Sequence, residues 1–406
     1  MNTEAVVGIS FHFFCKNFAE RSSEAAEFAK FIVRFKNKVS ATIVMRFVII
    51  GIIAIVLLLA GCGRQEVQEL APEQTAPQPA PQVSAVEKTK TVVPEPVQQA
   101  VQVEDLSMNS VWVIDAGSME VVQKIPVGVS PSDVALTDNG YYAAVTNAGE
   151  NTLSVIDLTS GNIISKIEVG ANPKGVIFVP ISDLIVVANI DDGVLSVVNL
   201  TSQGVDATIP VSKRPSNLVA SSEGKYVFVV SAGGNVLEKV NLFIRRVTGR
   251  AKVGDVPISV DMTGDKEKLF VANERSGGVS VIDGVDMSRK KKFDIDVGLQ
   301  PRDVTVGHND EEVYVVNKGD GMLSVIDTQN YAIKRQLNVG VAPVSVYYAK
   351  AVGTSGRIFV ADAKADVVAV IDRQTWQVIR RIPVGDNPVA LSGVGDKVLV
   401  VNAGEE

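Results

Sequence analysis

The 406-residue chain is 46% hydrophobic and 21% charged, and its 39 Lys and Arg against 46 Asp and Glu give a formal charge of −7. It is too apolar to be a disordered chain, and a diffuse acidic balance counts against nucleic acid as the main partner. Two cysteines, Cys15 and Cys62, and two histidines, His12 and His308, exclude a disulfide framework and a cysteine-only metal site and argue against multi-histidine metal or haem chemistry.

Residues 1–44 place Phe28, Phe31 and Phe35 against Glu24, Glu27 and Lys30 at helical spacing, the pattern of an amphipathic helix. A signal peptide starts a few residues before its apolar run, however, and Met45-Arg46 is such a start, so residues 1–44 read as an untranslated or upstream extension. Phe47–Leu59 is thirteen uncharged residues, all apolar but Gly51. A membrane-spanning helix needs roughly 20, so this run fits the core of a signal peptide over residues 45–61. Leu59-Ala60-Gly61-Cys62 resembles the lipobox of bacterial lipoproteins. The resemblance implies cleavage before Cys62 and lipidation of its sulfur. The alternative is a short membrane anchor with an incidental cysteine. Gly63, in place of Asp, resembles the outer-membrane sorting of Gram-negative lipoproteins. The expected location is the bacterial cell envelope, on the periplasmic side of the outer membrane or at the cell surface.

Residues 62–105 form the next segment. From Arg64 onward it is rich in Pro, Gln, Glu, Ala and Val, with prolines at 72, 77, 79, 81, 94 and 96 and no period long enough to bury a face. This composition predicts a stiffened tether reaching ~35–40 Å as coil and at most ~130 Å when extended.

The remainder, residues 106–406, repeats. The string V-G-x-x-P, or V-S-K-R-P in the third copy, ends at Pro131, Pro173, Pro215, Pro257, Pro301, Pro343 and Pro388, at intervals of 42, 42, 42, 44, 42 and 45 residues. A second string such as LSVID ends at Asp115, Asp157, Asn199, Asn241, Asp283, Asp327 and Asp372, and a third, such as AVTN or YVVN, lies between them. A period of 40–45 with short Val/Ile-rich segments predicts an all-β, seven-bladed β-propeller with four antiparallel strands per blade. The chain enters with a third and fourth strand and ends with a first and second, so the last blade is shared between the termini and closes the ring. The Asp or Asn ending each VID run is expected to bond its own downstream backbone.

The strings AVTN, YVVN, VSVID and VGxxP resemble the YVTN-repeat β-propellers, the YncE-like group, over about Leu106 to Glu406. The resemblance implies a bacterial exported or surface protein and is weak on function. It raises single-strand DNA binding as one possibility, for which Arg289-Lys290-Lys291-Lys292 is the basic run to weigh, with only Phe293 to stack a base. The third copy departs from the pattern at Ser212, Ser231-Ala232 and LEKVN, which makes its outer strand the least certain.

No Gly-rich phosphate loop, haem-attachment string or quinoprotein Trp pattern is present, and no cofactor or metal is expected. His308 falls in a turn-like GHNDEE and reads as exposed. The third residue after each repeat proline is apolar, whereas the second is Asp133, Gly175, Asn217, Ser259, Asp303, Ser345 or Ala390. First strands lie nearest a propeller's axis, so Asp133, Asn217, Asp303 and the adjacent Arg302 are expected at the channel mouth. They are the candidate ligand or partner groups, against the plainer role of holding channel water. The resulting expectation is a membrane-tethered binding or scaffold module. The alternatives are a lactonase-like hydrolase using the mouth carboxylates, or a single-stranded nucleic-acid binder.

Overall fold

The computed structural model describes residues 106–404 other than 266–267, 293 and 351–355, and of His308 the backbone alone. The expected signal peptide, lipidation at Cys62 and tether all fall on residues outside those described.

Seven four-stranded antiparallel sheets follow one another around a ring. In blade one the strands are Pro131–Leu136, Tyr142–Asn147, Thr152–Asp157 and Asn162–Glu168, from the axis outward. Blades two to six begin in the same way at Pro173, Pro215, Pro257, Pro301 and Pro343. Blade seven takes its inner strands, Pro388–Val394 and Lys397–Asn402, from the C-terminus and its outer strands, Ser110–Asp115 and Glu120–Pro126, from the N-terminal side. Ser110 pairs with Asn402 and Asp115 with Lys397, so the chain closes on itself as its half-blades require.

The packing explains why the repeats are rich in Val and Ile. Seven apolar clusters are present, one at each blade–blade interface. Second strands such as Leu184–Asn189 are buried on both faces, so they read as continuous apolar runs, whereas fourth strands such as Asn162–Glu168 are exposed at most positions. The third residue after each proline is buried in every blade, from Val134 at 3% exposure to Leu391 at 8%, and packs between blades as expected.

The turn chemistry is local. Asp157 Oδ1 accepts the amide of Thr159 at 2.8 Å, Asp283 Oδ1 that of Val285 at 2.7 Å and Asp372 Oδ1 that of Thr375 at 2.7 Å. The repeat glycine is required by a close approach. A Cβ at Gly128, Gly170, Gly254, Gly298 or Gly385 would lie 2.5–3.1 Å from the Cγ of a buried Asn, which ends the second strand of the blade that follows the glycine. Gly128 donates its amide to that side chain, Asn147 Oδ1, at 3.1 Å. The left-handed residue of the second-to-third-strand turn is instead Asn151 and its equivalents, such as Gly193, Asn235 and Asp366 (φ 58°, 65°, 51° and 52°).

The expectation for the divergent blade is corrected. Blade three keeps a complete outer strand, Arg246–Lys252, paired along its length. Blade four loses most of its own, which is reduced to Ile295–Asp296. The cause is the charge run. Arg289 pairs with Asp294 and donates to the carbonyls of Lys291 and Lys252 at 3.1 and 3.2 Å, while Lys290 pairs with Asp283 at 2.5 Å. Local ionic contacts fold this segment where the alternating apolar pattern of a strand is missing.

Candidate channel-mouth site

Each first strand carries a register shift immediately after its proline, for example between Pro131 and Asp133 opposite Asn147 and Thr146. A bulge there re-aims the residues that follow. The first and second residues after all seven prolines therefore meet around one axial cavity of about 350 Å³. Asp133, Asn217, Arg302 and Asp303 all line it, so the four candidate residues, which come from blades one, three and five, share a single site. Lys174 and Lys318 add positive charge to the rim, and Ile258, Val344 and Val389, from blades four, six and seven, add apolar lining.

The carboxylates are held by backbone. Asp133 accepts the amide of Val134 at 2.8 Å and, from the next blade, that of Val176 at 3.1 Å. Asp303 accepts Val304 N at 2.9 Å and Ser259 Oγ at 2.7 Å, and from blade six Ser345 Oγ at 2.8 Å and Val346 N at 2.9 Å. Asn217 Oδ1 accepts the Val260 amide of blade four at 3.1 Å. These side chains latch the inner strands of adjacent blades as well as bordering the channel. Arg302 points to the rim, where it meets Glu274 at 3.4 Å.

Burial dominates the electrostatics. Desolvation raises the Asp133 carboxyl to about 7 against the opposing pull of its two amide donors, and the Asp303 charge adds to the rise. Desolvation raises Asp303 too, opposed by its hydroxyl and amide donors. Asp261, which is not among the cavity's lining residues, is a third carboxyl raised by burial that the sequence reading missed. It lies four residues after Pro257, where the other blades carry Ala135, Ile177, Val219, Thr305, Tyr347 and Ser392. It accepts Met262 N at 2.8 Å, Val306 N at 2.7 Å and Thr305 Oγ1 at 3.2 Å, and desolvation raises it to about 6. As the one carboxylate in its column of the repeat, it was findable by aligning the fourth position as well as the second.

Among the described residues no group of three or more His, Cys, Asp or Glu is arranged to hold a metal ion. His308 is in the turn between Pro301–Val306 and Glu312–Asn317, at the end of the strands opposite the mouth. On that opposite side Glu312 accepts Tyr314 Oη at 2.8 Å, Arg373 Nε at 2.9 Å and Lys334 Nζ at 3.1 Å, a buried ionic pin between blades five and six.

No family model and no curated protein matches the sequence. Solved structures do. Kuenenia stuttgartiensis hydrazine synthase is 15% identical with a TM-score of 0.59, covering 66% of this chain and 90% of its own. A functionally unknown protein from Desulfotomaculum acetoxidans is 13% identical with a TM-score of 0.59, covering 72% and 99%. A 6-phosphogluconolactonase-like protein from Bacteroides uniformis is 15% identical with a TM-score of 0.57, covering 69% and 98%. At these identities the likeness is one of fold, and the fold is the seven-bladed β-propeller.

Proposed function

We propose that the protein is a lipid-anchored binding module of the bacterial cell envelope, a YVTN-repeat propeller that engages an exposed loop or small polar ligand at its channel mouth without turning it over. The observation that supports this reading is the convergence of all seven inner strands on one cavity whose lining mixes charged, polar and apolar side chains. Its deeper carboxylates are occupied by backbone amides and hydroxyls, an arrangement suited to shaping a site rather than attacking a substrate. Anchoring rests on Cys62 and predicts a mature protein whose first residue is a lipid-modified Cys62 in mass spectra of the native protein; peptides from residues 1–44 would refute it.

The enzyme reading has one observation on its side. Asp133, raised to about 7, has the proton affinity of a general base, and a lactonase-like protein shares the fold. Co-purification of envelope proteins with the native chain and with an Arg302→Glu/Lys318→Glu variant, beside a lactone-hydrolysis assay, separates the two. Binding lost in the variant with no hydrolysis by either protein supports the binding module. Hydrolysis that disappears on Asp133→Asn establishes the enzyme.

A further inference from the structure

The turns between third and fourth strands lie on the face opposite the mouth, because each first strand starts at the mouth and the strands alternate in direction. Their tips are an internal control. In five blades they are small or polar: Gly117-Ser118, Thr159-Ser160, Thr201-Ser202, Gln329-Asn330 and Gln374-Thr375. Blade three instead displays Phe243-Ile244, which are 75% and 51% exposed, and blade four displays Val285 at 73%. Large apolar side chains left in water at turns where the repeat otherwise places Thr and Ser mark an interaction surface.

The surroundings of this edge are basic. Arg245, Arg246, Arg250 and Lys252 follow Phe243-Ile244 along an exposed outer strand, and Lys290 and Lys292 are exposed on the neighbouring blade. The acids at this edge include Asp206, Asp283 and Asp286, of which Asp283 pairs with Lys290, while farther along the strand Arg250 pairs with Glu238. The blade-four tip is held to the third strand of blade three, where Lys239 Nζ donates to the carbonyls of Gly284 and Val285 at 2.9 and 3.0 Å, and beside the blade-three tip Arg245 Nη1 reaches the Asp206 carbonyl of blade two at 3.4 Å.

We propose that this edge of blades three and four docks on an anionic bilayer surface. Phe243 and Ile244 enter the interface, and Arg245, Arg246 and the blade-four lysines lie over the phosphate headgroups. The tips are protruding turns rather than a groove, so they suit a planar surface better than an inserted peptide. An apolar point with a cationic collar follows the order of acyl chain and headgroup across the interface. A local positive patch on a chain of charge −7 gives such a surface something to select. Docking here goes beyond the tether and does not depend on it, because a chain without its lipid still carries the tips.

The test uses the full chain with Cys15→Ser and Cys62→Ser, and a bimane label on Val285→Cys or, as a control on another blade, on Thr159→Cys. Vesicles of phosphatidylglycerol and phosphatidylethanolamine carry nitroxide-labelled acyl chains. The label at 285 is quenched and the label at 159 is not, and quenching fades in 0.5 M salt. Phe243→Thr/Ile244→Ser, which installs the tip of blades one and two, leaves the melting temperature unchanged and weakens the quenching-detected association by about tenfold or more. Equal quenching at 159 and 285, or quenching indifferent to the tip substitution, overturns the proposal. Quenching absent altogether, with the tip substitution abolishing capture of an envelope protein instead, overturns it in favour of a protein partner.

Discussion

The carboxylate of Glu238 accepts the amide of Ser212 at 2.7 Å, and this contact accounts for the divergence of blade three. Elsewhere a glycine lies against a buried Asn, or in blade six against Asp362, with no room for a Cβ. In blade three Ser231 replaces the Asn, which frees the space that Ser212 fills. Glu238, fully buried on the third strand, then serves Ser212, accepts the Ser231 hydroxyl at 3.2 Å and meets Arg250 Nε at 2.8 Å. Three departures from the repeat are therefore one compensated exchange.

Glu238→Ala leaves the Ser212 amide without its acceptor and should lower stability by about 1–3 kcal/mol in urea unfolding. Restoring the repeat with Ser212→Gly, Ser231→Asn and Glu238→Ser together should recover most of that loss. A triple variant no more stable than Glu238→Ala contradicts the compensation.

Ring closure rests on the pairing of Ser110–Asp115 with Lys397–Asn402. Ending the chain before Pro388 removes the buried Leu391, Val398, Leu399, Val400 and Val401. It should cost about 5 kcal/mol or more, by the apolar burial of those side chains. Deleting residues 63–100 should leave the melting temperature unchanged. Calorimetry of both deletions checks the contrast.

Asp133 makes stability depend on pH. Its folded carboxyl is raised to about 7 from an ordinary 3.8, so the folded state binds the extra proton between those values. This contribution is present below about pH 4 and is lost as pH rises through 7, on the order of a few kcal/mol at most. Asp283 acts in the opposite sense. Lys290 holds it down to about 2, so its contribution is lost on acidification from about 4 toward 2. Between pH 5 and 8, Asp133→Asn should flatten the fall in melting temperature. It should also lower its value, because the amide group cannot accept both the Val134 and the Val176 amides.

The fold was legible because a propeller writes its period into the chain: the prolines, the Asp or Asn ending each third strand and the alternation of the inner strand each recur in every blade. The mouth was legible for the same reason, since the second-position column gathers Asp133, Asn217 and Asp303 into one cavity. What those side chains bond was not, because their partners are amides of the next blade, 43 residues away, and a backbone amide leaves no mark on sequence. The same limit hid Glu238, whose burial is decided by two positions elsewhere in its blade, and the lost strand of blade four, where ion pairs override strand formation.

The most direct measurement is photocrosslinking in intact cells from a benzophenone residue at Lys318, on the mouth, and from one at Gln329, on the opposite face. A discrete adduct from position 318 that disappears when Arg302→Glu is added, with none from position 329, is the predicted result. Adducts from 329 alone, or a 318 adduct indifferent to Arg302→Glu, would contradict a partner at the channel mouth.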